Sequence, residues 1–364
     1  MLSFVVRASS NWVTSMRTAW GIAVLLLSLP VTGWSQLAPS PDAAPVSTAP
    51  AQPEQDESVG TLKLNVNLVD IFFTVKDKNG QLMPHLTQQD CTISEDKVPQ
   101  TLKTFVAENS LPLTLGILLD TSGSQERVLP LEQQVGSQFL ERVLRSKDEA
   151  FLVSFDVDVD LLQDFTNSPR QLAHAMNKAE INIGGGGGIG LPGAGGGTVP
   201  TPGGPRGTVL YDAVYLAANE KLNQETGRKA MILLTDGEDE GSRLKIADAI
   251  AAAERSNAIV YVILIADRGF YGGFGMGYSG YSAMKKLTEE TGGRLIDVGN
   301  NGPKLEAAFQ EIEDELRTQY VATYTPSNTK LDGSFRRLSV ECRGDGVKVE
   351  VRKGYFASAP DSGN

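Results

Sequence analysis

The apolar run Leu113-Thr114-Leu115-Gly116-Ile117-Leu118-Leu119 stops at Asp120-Thr121-Ser122-Gly123-Ser124, and this junction constrains the fold more than any other part of the chain. A short apolar run that ends at a turn signal reads as a strand buried on both faces, the kind found inside parallel sheets. Similar runs follow at 150–155, 229–235, 258–265 and 294–297. Helical stretches fill the intervals at 128–144, 171–179, 210–222, 244–255, 282–291 and 304–317. Strands alternating with helices make βαβ units, whose crossovers demand a mostly parallel sheet with helices on its faces. Pro303 at a first helical turn and Gly292-Gly293 after a helix end agree with ordinary start and stop chemistry. The expected fold class is α/β, a doubly wound and mostly parallel sheet.

On either side of this region the pattern is β. Strand-like runs at 62–69, 71–75, 91–94 and 100–105 precede it, with Lys78-Asn79-Gly80 as a strong hairpin signal. Strand-like runs at 320–325, 337–342 and 347–352 follow it, divided by Pro326-Ser327-Asn328 and Gly344-Asp345-Gly346. The termini of an inserted domain tend to lie close together. The β segments 58–108 and 319–357 are therefore expected to pair into one small β-sandwich-like domain, with the α/β domain 109–318 inserted between them. Each segment holds one of the two cysteines, Cys91 and Cys342. In an oxidising compartment these are a disulfide candidate that would staple the halves; two separately buried thiols are the alternative.

Residues 1–35 have the layout of a secretory signal. Arg7 and Arg17 precede an apolar run at 19–29, no acid occurs before Asp42, and Gly33 and Ser35 suit cleavage before Gln36. The run is short for a bilayer span, and an uncleaved N-terminal anchor would use the same residues. Either way the body is expected outside the cytoplasm: periplasmic, held at the cell surface or secreted, with no membrane insertion after signal removal. Residues 36–57, rich in Pro, Ala, Ser and Gln, read as a linker, and 358–364 as a tail. Glycine too dense for a packed core marks 184–207 and 268–281 as surface loops. A net charge of −11 disfavours nucleic acid and anionic membranes as partners.

Three places in the α/β region can supply ligands to one cation. Asp120, Ser122 and Ser124 leave the end of the first strand; Thr208 stands where a helix begins; Asp236 follows Leu233-Leu234-Thr235 at another strand end. In a parallel sheet both strand ends lie on one edge, the edge at which ligands bind. Carboxylates and hydroxyls are hard oxygen donors, suited to Mg2+, Mn2+ or Ca2+ rather than zinc or copper. The two histidines, His85 and His174, lie far apart in sequence and make no zinc cluster with the cysteines.

This set resembles the metal-ion-dependent adhesion site of von Willebrand factor type A domains, whose pattern is Asp-x-Ser-x-Ser, a distant Thr and a distant Asp in Thr-Asp-Gly. Asp120, Ser122, Ser124, Thr208 and Asp236 match all five positions, and residues 111–318 are covered. The flanks Val75-Lys76-Asp77-Lys78-Asn79-Gly80, Leu86-Thr87-Gln88-Gln89-Asp90 and Tyr324-Thr325-Pro326 resemble those of the acidobacterial-type VWFA-related family. Cys91 stands where that family leads one to expect an aromatic residue and Cys342 where it has a general strand residue. That pair of departures fits a compensating disulfide. The resemblance implies a bound Mg2+ or Mn2+, with Thr208 or Asp236 switching between direct and water-mediated contact. It also implies an open coordination position that takes a Glu or Asp carboxylate from a partner protein.

Other signals carry less. Asp156, Asp158 and Asp160 lack the central Gly and twelfth-position acid of a calcium loop and read as a solvated strand face. Glu238, Asp239 and Glu240 read as a solvated acidic loop. The glycine loop at 184–188 has no following Gly-Lys-Ser/Thr for phosphate binding, and Ser122 lacks a nucleophile elbow. The aromatics Phe270, Tyr271, Phe274, Tyr278 and Tyr281 suit either a contact loop or plain filler. The expected function is metal-dependent protein binding by a non-enzyme. An envelope scaffold with a silent site and a metal-dependent hydrolase are the alternatives.

Overall fold

The computed structural model describes residues 68–107, 111–181, 207–266 and 280–357. The signal, the linker, the tail, most of the run at 62–69 and nearly all of both glycine-rich loops lie outside the described residues. The first β segment forms β1 (Val69–Lys76), β2 (Cys91–Glu95), β3 (Val98–Pro99) and β4 (Leu102–Ala107). The α/β region then runs β5 (Leu113–Asp120), α1 (Leu129–Val143), β6 (Glu149–Phe155), β7 (Val159–Thr166) and α2 (Pro169–Met176). It continues with α3 (Leu210–Leu216), β8 (Arg228–Thr235), α4 (Ile246–Arg255), β9 (Ala258–Leu264), α5 (Gly280–Thr291), β10 (Leu295–Asp297) and α6 (Gly302–Arg317). The last β segment forms β11 (Tyr320–Tyr324), β12 (Phe335–Cys342), β13 (Lys348–Val351) and β14 (Gly354–Phe356).

The central sheet has the order β10-β9-β8-β5-β6-β7, parallel except for the antiparallel edge pair β6–β7. The chain winds from β5 outward to β6 and β7, then crosses back to place β8, β9 and β10 on the other side. The direction of winding thus reverses between β5 and β8. Every residue of β5 is buried, as the apolar run requires. Alternate side chains serve two cores. Leu113, Leu115, Ile117 and Leu119 pack with α1, α2 and α6, whereas Leu118 packs with α3, α4 and α5. The expected helix at 210–222 is α-helical only to Leu216 and continues as a π-helical segment, Ala217–Leu222.

Two four-stranded sheets, β13-β1-β11-β4 and β14-β12-β2-β3, complete the fold. Each combines strands from before and after the α/β region, alternating in the first sheet and side by side as two pairs in the second. Both contribute to one core that includes Ile71, Phe73, Ile93, Tyr320, Tyr324, Leu338 and Tyr355, so they form a sandwich. Cys91 and Cys342 stand opposite each other in the β2–β12 ladder and are joined by a disulfide. The Lys78-Asn79-Gly80 turn forms, with Gly80 at φ +82°, but it returns only as far as a single bridge between Lys76 and Leu82.

The sandwich is packed firmly on the α/β unit. β1 is buried on both faces, and its Phe72 enters the α1–α6 core. Lys76 of β1 donates to Glu315 of α6 at 2.6 Å and to Glu350 of β13 at 3.1 Å. Glu254, near the end of α4, lines a small cavity with Phe72, Thr291 and Arg352. Burial, and next the charge of Glu290, push its carboxyl up to about 7, against the pull of Arg352.

The disulfide closes a span of 251 residues. Replacing Cys342 by serine is expected to lower unfolding free energy by about 2–5 kcal/mol, measurable by urea unfolding with intact mass showing one free thiol. Glu254 has a raised carboxyl value, so its protonated form favours the folded state. That contribution is complete below the ordinary value of 4.5 and is lost as pH rises through about 7. Glu254→Gln is therefore expected to flatten the fall in melting temperature over that window and to stabilise the protein at pH 8 by on the order of 2 kcal/mol.

Candidate metal centre

The reversal of winding places the carboxyl ends of β5 and β8 side by side, and the expected ligands gather there. Asp120, the last residue of β5, has no exposed surface. Its Oδ1 accepts from the Ser122 amide at 3.0 Å, and its Oδ2 accepts from the Thr235 hydroxyl at 2.6 Å. The Ser122 and Ser124 hydroxyls lie 3.0 Å apart, and Ser124 Oγ donates to Asp236 Oδ2 at 2.5 Å. Asp120, Ser122, Ser124 and Asp236, separated by up to 116 positions in the numbering, thus form one connected group.

Thr208 is held beside this group through backbone contacts. Its carbonyl accepts from the Glu240 amide at 3.1 Å, just beyond Asp236. The next residue, Val209, donates its amide to the Asp156 carbonyl at 2.7 Å, and Asp156 Oδ2 in turn accepts from the Thr121 hydroxyl at 3.3 Å. Asp156 therefore ties the Thr208 loop to the Asp120 turn. The Asp156, Asp158 and Asp160 series is not a strand face. Asp156 and Asp158 turn the β6–β7 hairpin, where Asp156 Oδ1 accepts from the Val157 and Asp158 amides, and only Asp160 lies in β7.

The acids after Asp236 also differ from a solvated loop. Glu238 and Asp239 are half-buried, and only Glu240 is exposed. Glu238 Oε1 accepts from the Gly280 amide at 2.8 Å at the start of α5. Asp239 accepts from the Ser242 hydroxyl at 2.5 Å and the Tyr211 amide at 3.2 Å. These carboxylates shape the loop that presents Asp236. Of the aromatic series, Tyr281 is described and exposed; the others lie outside the described residues.

Three participants were not singled out by the sequence. Thr235 bonds Asp120 and also accepts from the Gly237 amide at 2.9 Å; its signal was a hydroxyl ending an otherwise apolar strand. Gln125 is buried and donates to Ser124 Oγ at 3.3 Å. Glu132 lies on the buried stripe of α1 with Leu129, Val135, Gly136 and Phe139, an acid at a position whose spacing calls for an apolar residue.

Two carboxylates stand close together in this group. Burial first, and the charge of Asp236 second, push the Asp120 carboxyl up to about 7 despite the bonds from Ser122 and Thr235. Two close carboxylates and three hydroxyls supply oxygen donors only, so the residues fit a hard divalent ion. Among the described residues no three His, Cys, Asp or Glu side chains are placed to hold a metal together. A cation here would depend on serine and threonine oxygens as well.

The loop carrying Asp236 leaves no spare room. Gly237 adopts φ +84°, and a Cβ on Gly280 would sit 2.5 Å from the Gly237 carbonyl carbon and 2.8 Å from the Asp236 oxygen. Gly280→Ala is expected to cost about 1–3 kcal/mol in urea unfolding and to weaken Mn2+ binding at least tenfold in titration calorimetry. Gly123→Ala, where a Cβ meets nothing within 4 Å, is expected to change neither.

No family model and no curated protein sequence matches the chain. Among solved structures it is similar to BatB from Bacteroides thetaiotaomicron, at 18% identity and TM-score 0.40 over 56% of this chain and 99% of that one. It is similar to proximal thread matrix protein 1 from the mussel byssus, in a form with a zinc-occupied MIDAS motif, at 15% identity and TM-score 0.43 over 60% of this chain and 48% of that one. It is also similar to the VWA domain of SpRpn10, at 10% identity and TM-score 0.37 over 55% of this chain and 95% of that one. With the Asp-x-Ser-x-Ser turn and the Thr-Asp-Gly turn adjacent at the reversal of a six-stranded, mostly parallel sheet, the α/β unit has a von Willebrand A-type fold.

Proposed function

We propose that this chain is an exported, non-catalytic binding protein whose α/β unit holds Mg2+, or Mn2+ or Ca2+, on Asp120, Ser122, Ser124, Thr208 and Asp236. The open coordination position of the ion would receive a Glu or Asp carboxylate of a partner protein. The observation that carries this reading is the connected group Asp120–Thr235 and Ser122–Ser124–Asp236 on the sheet edge. When bound, the ion supplies positive charge that two carboxylates and three neutral hydroxyls leave partly unsatisfied. The chain's own residues do the rest. Thr235 orients Asp120, Glu238 and Gly280 fix the Asp236 loop, and Asp156 fixes the loop of Thr208.

Other supports are indirect. Both histidines are exposed and stand outside the connected group, His85 in the loop after β1 and His174 on α2, so neither serves it as a general base. The negative net charge repels nucleic acid. Among the described residues no helix is long and apolar enough to cross a membrane. Export rests on the layout of residues 1–35.

Titration calorimetry tests the site. Wild type is expected to bind Mn2+ or Mg2+, and Asp120→Ala to lower the affinity by at least about 100-fold, more than the loss typical of residues behind a metal's ligands. Equal heats from the two proteins would refute the metal site. Pull-downs with wild type, with EDTA and with Asp120→Ala then separate adhesion from an envelope scaffold with a silent site. A partner retained equally in all three argues for the scaffold.

A further inference from the structure

Glu132 has no role in the ligand set above, yet it is the most anomalous side chain near it. It is fully buried, and neither carboxylate oxygen has a hydrogen-bond partner among the described residues. Gln125, 1% exposed, likewise keeps an unpartnered buried oxygen, Oε1. Both belong to the segment that leaves the Asp120 turn. The Gln125 amide donates to the Ser122 carbonyl, the Val128 amide to the Gln125 carbonyl, and the Glu132 amide to the Val128 carbonyl. Burial first, and then the charges of Asp120 and Asp236, push the Glu132 carboxyl well above the usual carboxylate range. Three orphan acceptors are therefore buried on the α1 side of the ligand group.

A carboxylate buried without a partner is costly, and proteins keep one where something else neutralises it. An apolar side chain would serve the α1 stripe better if packing alone mattered, since its neighbours are Leu129, Val135, Gly136 and Phe139. The missing counterpart must donate hydrogen bonds or carry positive charge. Among the described residues no basic side chain donates a hydrogen bond to Glu132. Water ordered by a divalent cation does both: it donates, and the ion behind it supplies charge.

We propose that Glu132 is a positioning residue for the cation, a third carboxylate that acts from behind Asp120 and Asp236 through bound water. This rests on the metal-binding reading above. Direct ligation is not required, consistent with the lack, among the described residues, of any three acids placed to hold a metal together. Gln125 Oε1 is a second acceptor for the same water.

The test uses Mn2+ alone as the probe, with affinity measured by titration calorimetry and melting temperature measured in EDTA and in Mn2+. Glu132→Gln keeps the shape and removes the charge; Glu132→Leu makes the stripe apolar. Exposed Glu126→Gln removes one charge from the neighbouring surface and controls for general field effects. The expected result is a 10- to 100-fold loss of Mn2+ affinity in both Glu132 variants, less than twofold in Glu126→Gln, and no fall in melting temperature in EDTA. A purely structural Glu132 would instead show a lower melting temperature in EDTA with unchanged affinity, and that result overturns the inference while leaving the five-residue site standing. An equal loss in Glu126→Gln also overturns it. Wild type that fails to bind Mn2+ overturns both readings.

Discussion

The interaction on which the site depends is the hydrogen bond between Thr235 and Asp120, from one strand end to the next. It joins a fully buried carboxylate to the neighbouring strand at the place where the winding of the sheet reverses. A buried carboxylate survives only with partners, and Asp120 finds them in the Thr235 hydroxyl and the Ser122 amide. The Ser122 amide is local to the turn, but the Thr235 hydroxyl reaches Asp120 only when β5 and β8 pair in this register, Leu119 opposite Leu234. A slip by one residue would turn Asp120 and Thr235 to opposite faces. The same register sets Asp236 within reach of Ser124. The polar edge of the sheet thus specifies the pairing that its apolar interior alone would leave less exact.

The sandwich poses the opposite problem, since its strands come from segments that the α/β unit separates. In the first sheet strands of the two segments alternate, β1 lying between β13 and β11, and in the second the C-terminal pair β14-β12 joins the N-terminal pair β2-β3 through β12 and β2. Neither segment can complete a sheet alone. Two devices tie the halves. One is the Cys91–Cys342 disulfide. The other is buried Glu95 of β2, which accepts from Tyr324 at 2.6 Å, Tyr355 at 2.7 Å and Arg336 at 3.0 Å, all from the C-terminal segment. A buried ion pair contributes little net stability against an apolar replacement. Its consequence here is that three C-terminal strands must converge on one N-terminal residue.

How far the sequence discloses this depends on which force shapes each part. The parallel strands were legible because burial on both faces makes them continuous apolar runs. Asp120, Ser122, Ser124 and Asp236 were legible because polar residues at the ends of such runs have few structural reasons to be there. Strand β7 was not legible: Val159-Asp160-Leu161-Leu162-Gln163-Asp164-Phe165-Thr166 lies on a half-exposed edge and lacks a clean period of two. Asp156 was misread because its carboxylate serves the backbone of a turn, a choice that local sequence does not reveal. Glu132 was hidden inside a helical pattern that otherwise reads as core. Its signal, an acid on an apolar stripe, becomes informative only once the fold shows that the position is buried and its carboxylate unpartnered among the described residues.

On the proposed reading, the site must reconcile two opposing demands. Carboxylates retain a cation, whereas adhesion to an outside carboxylate requires that the cation's charge not be exhausted. Hydroxyl ligands favour the second demand, since Ser122, Ser124 and Thr208 contribute oxygen without charge. A chain with a net charge of −11 would repel an acidic partner from any site whose own carboxylates outweighed the ion. A third acid acting from behind the ligands, as proposed for Glu132, would resolve part of the conflict. At that distance, and through water, its field helps to hold the ion, while its charge does not occupy a coordination position. Retention and recognition would then be served by different residues: buried Glu132 and Asp120 for the ion, and the neutral serine and threonine oxygens for the charge left to attract a partner.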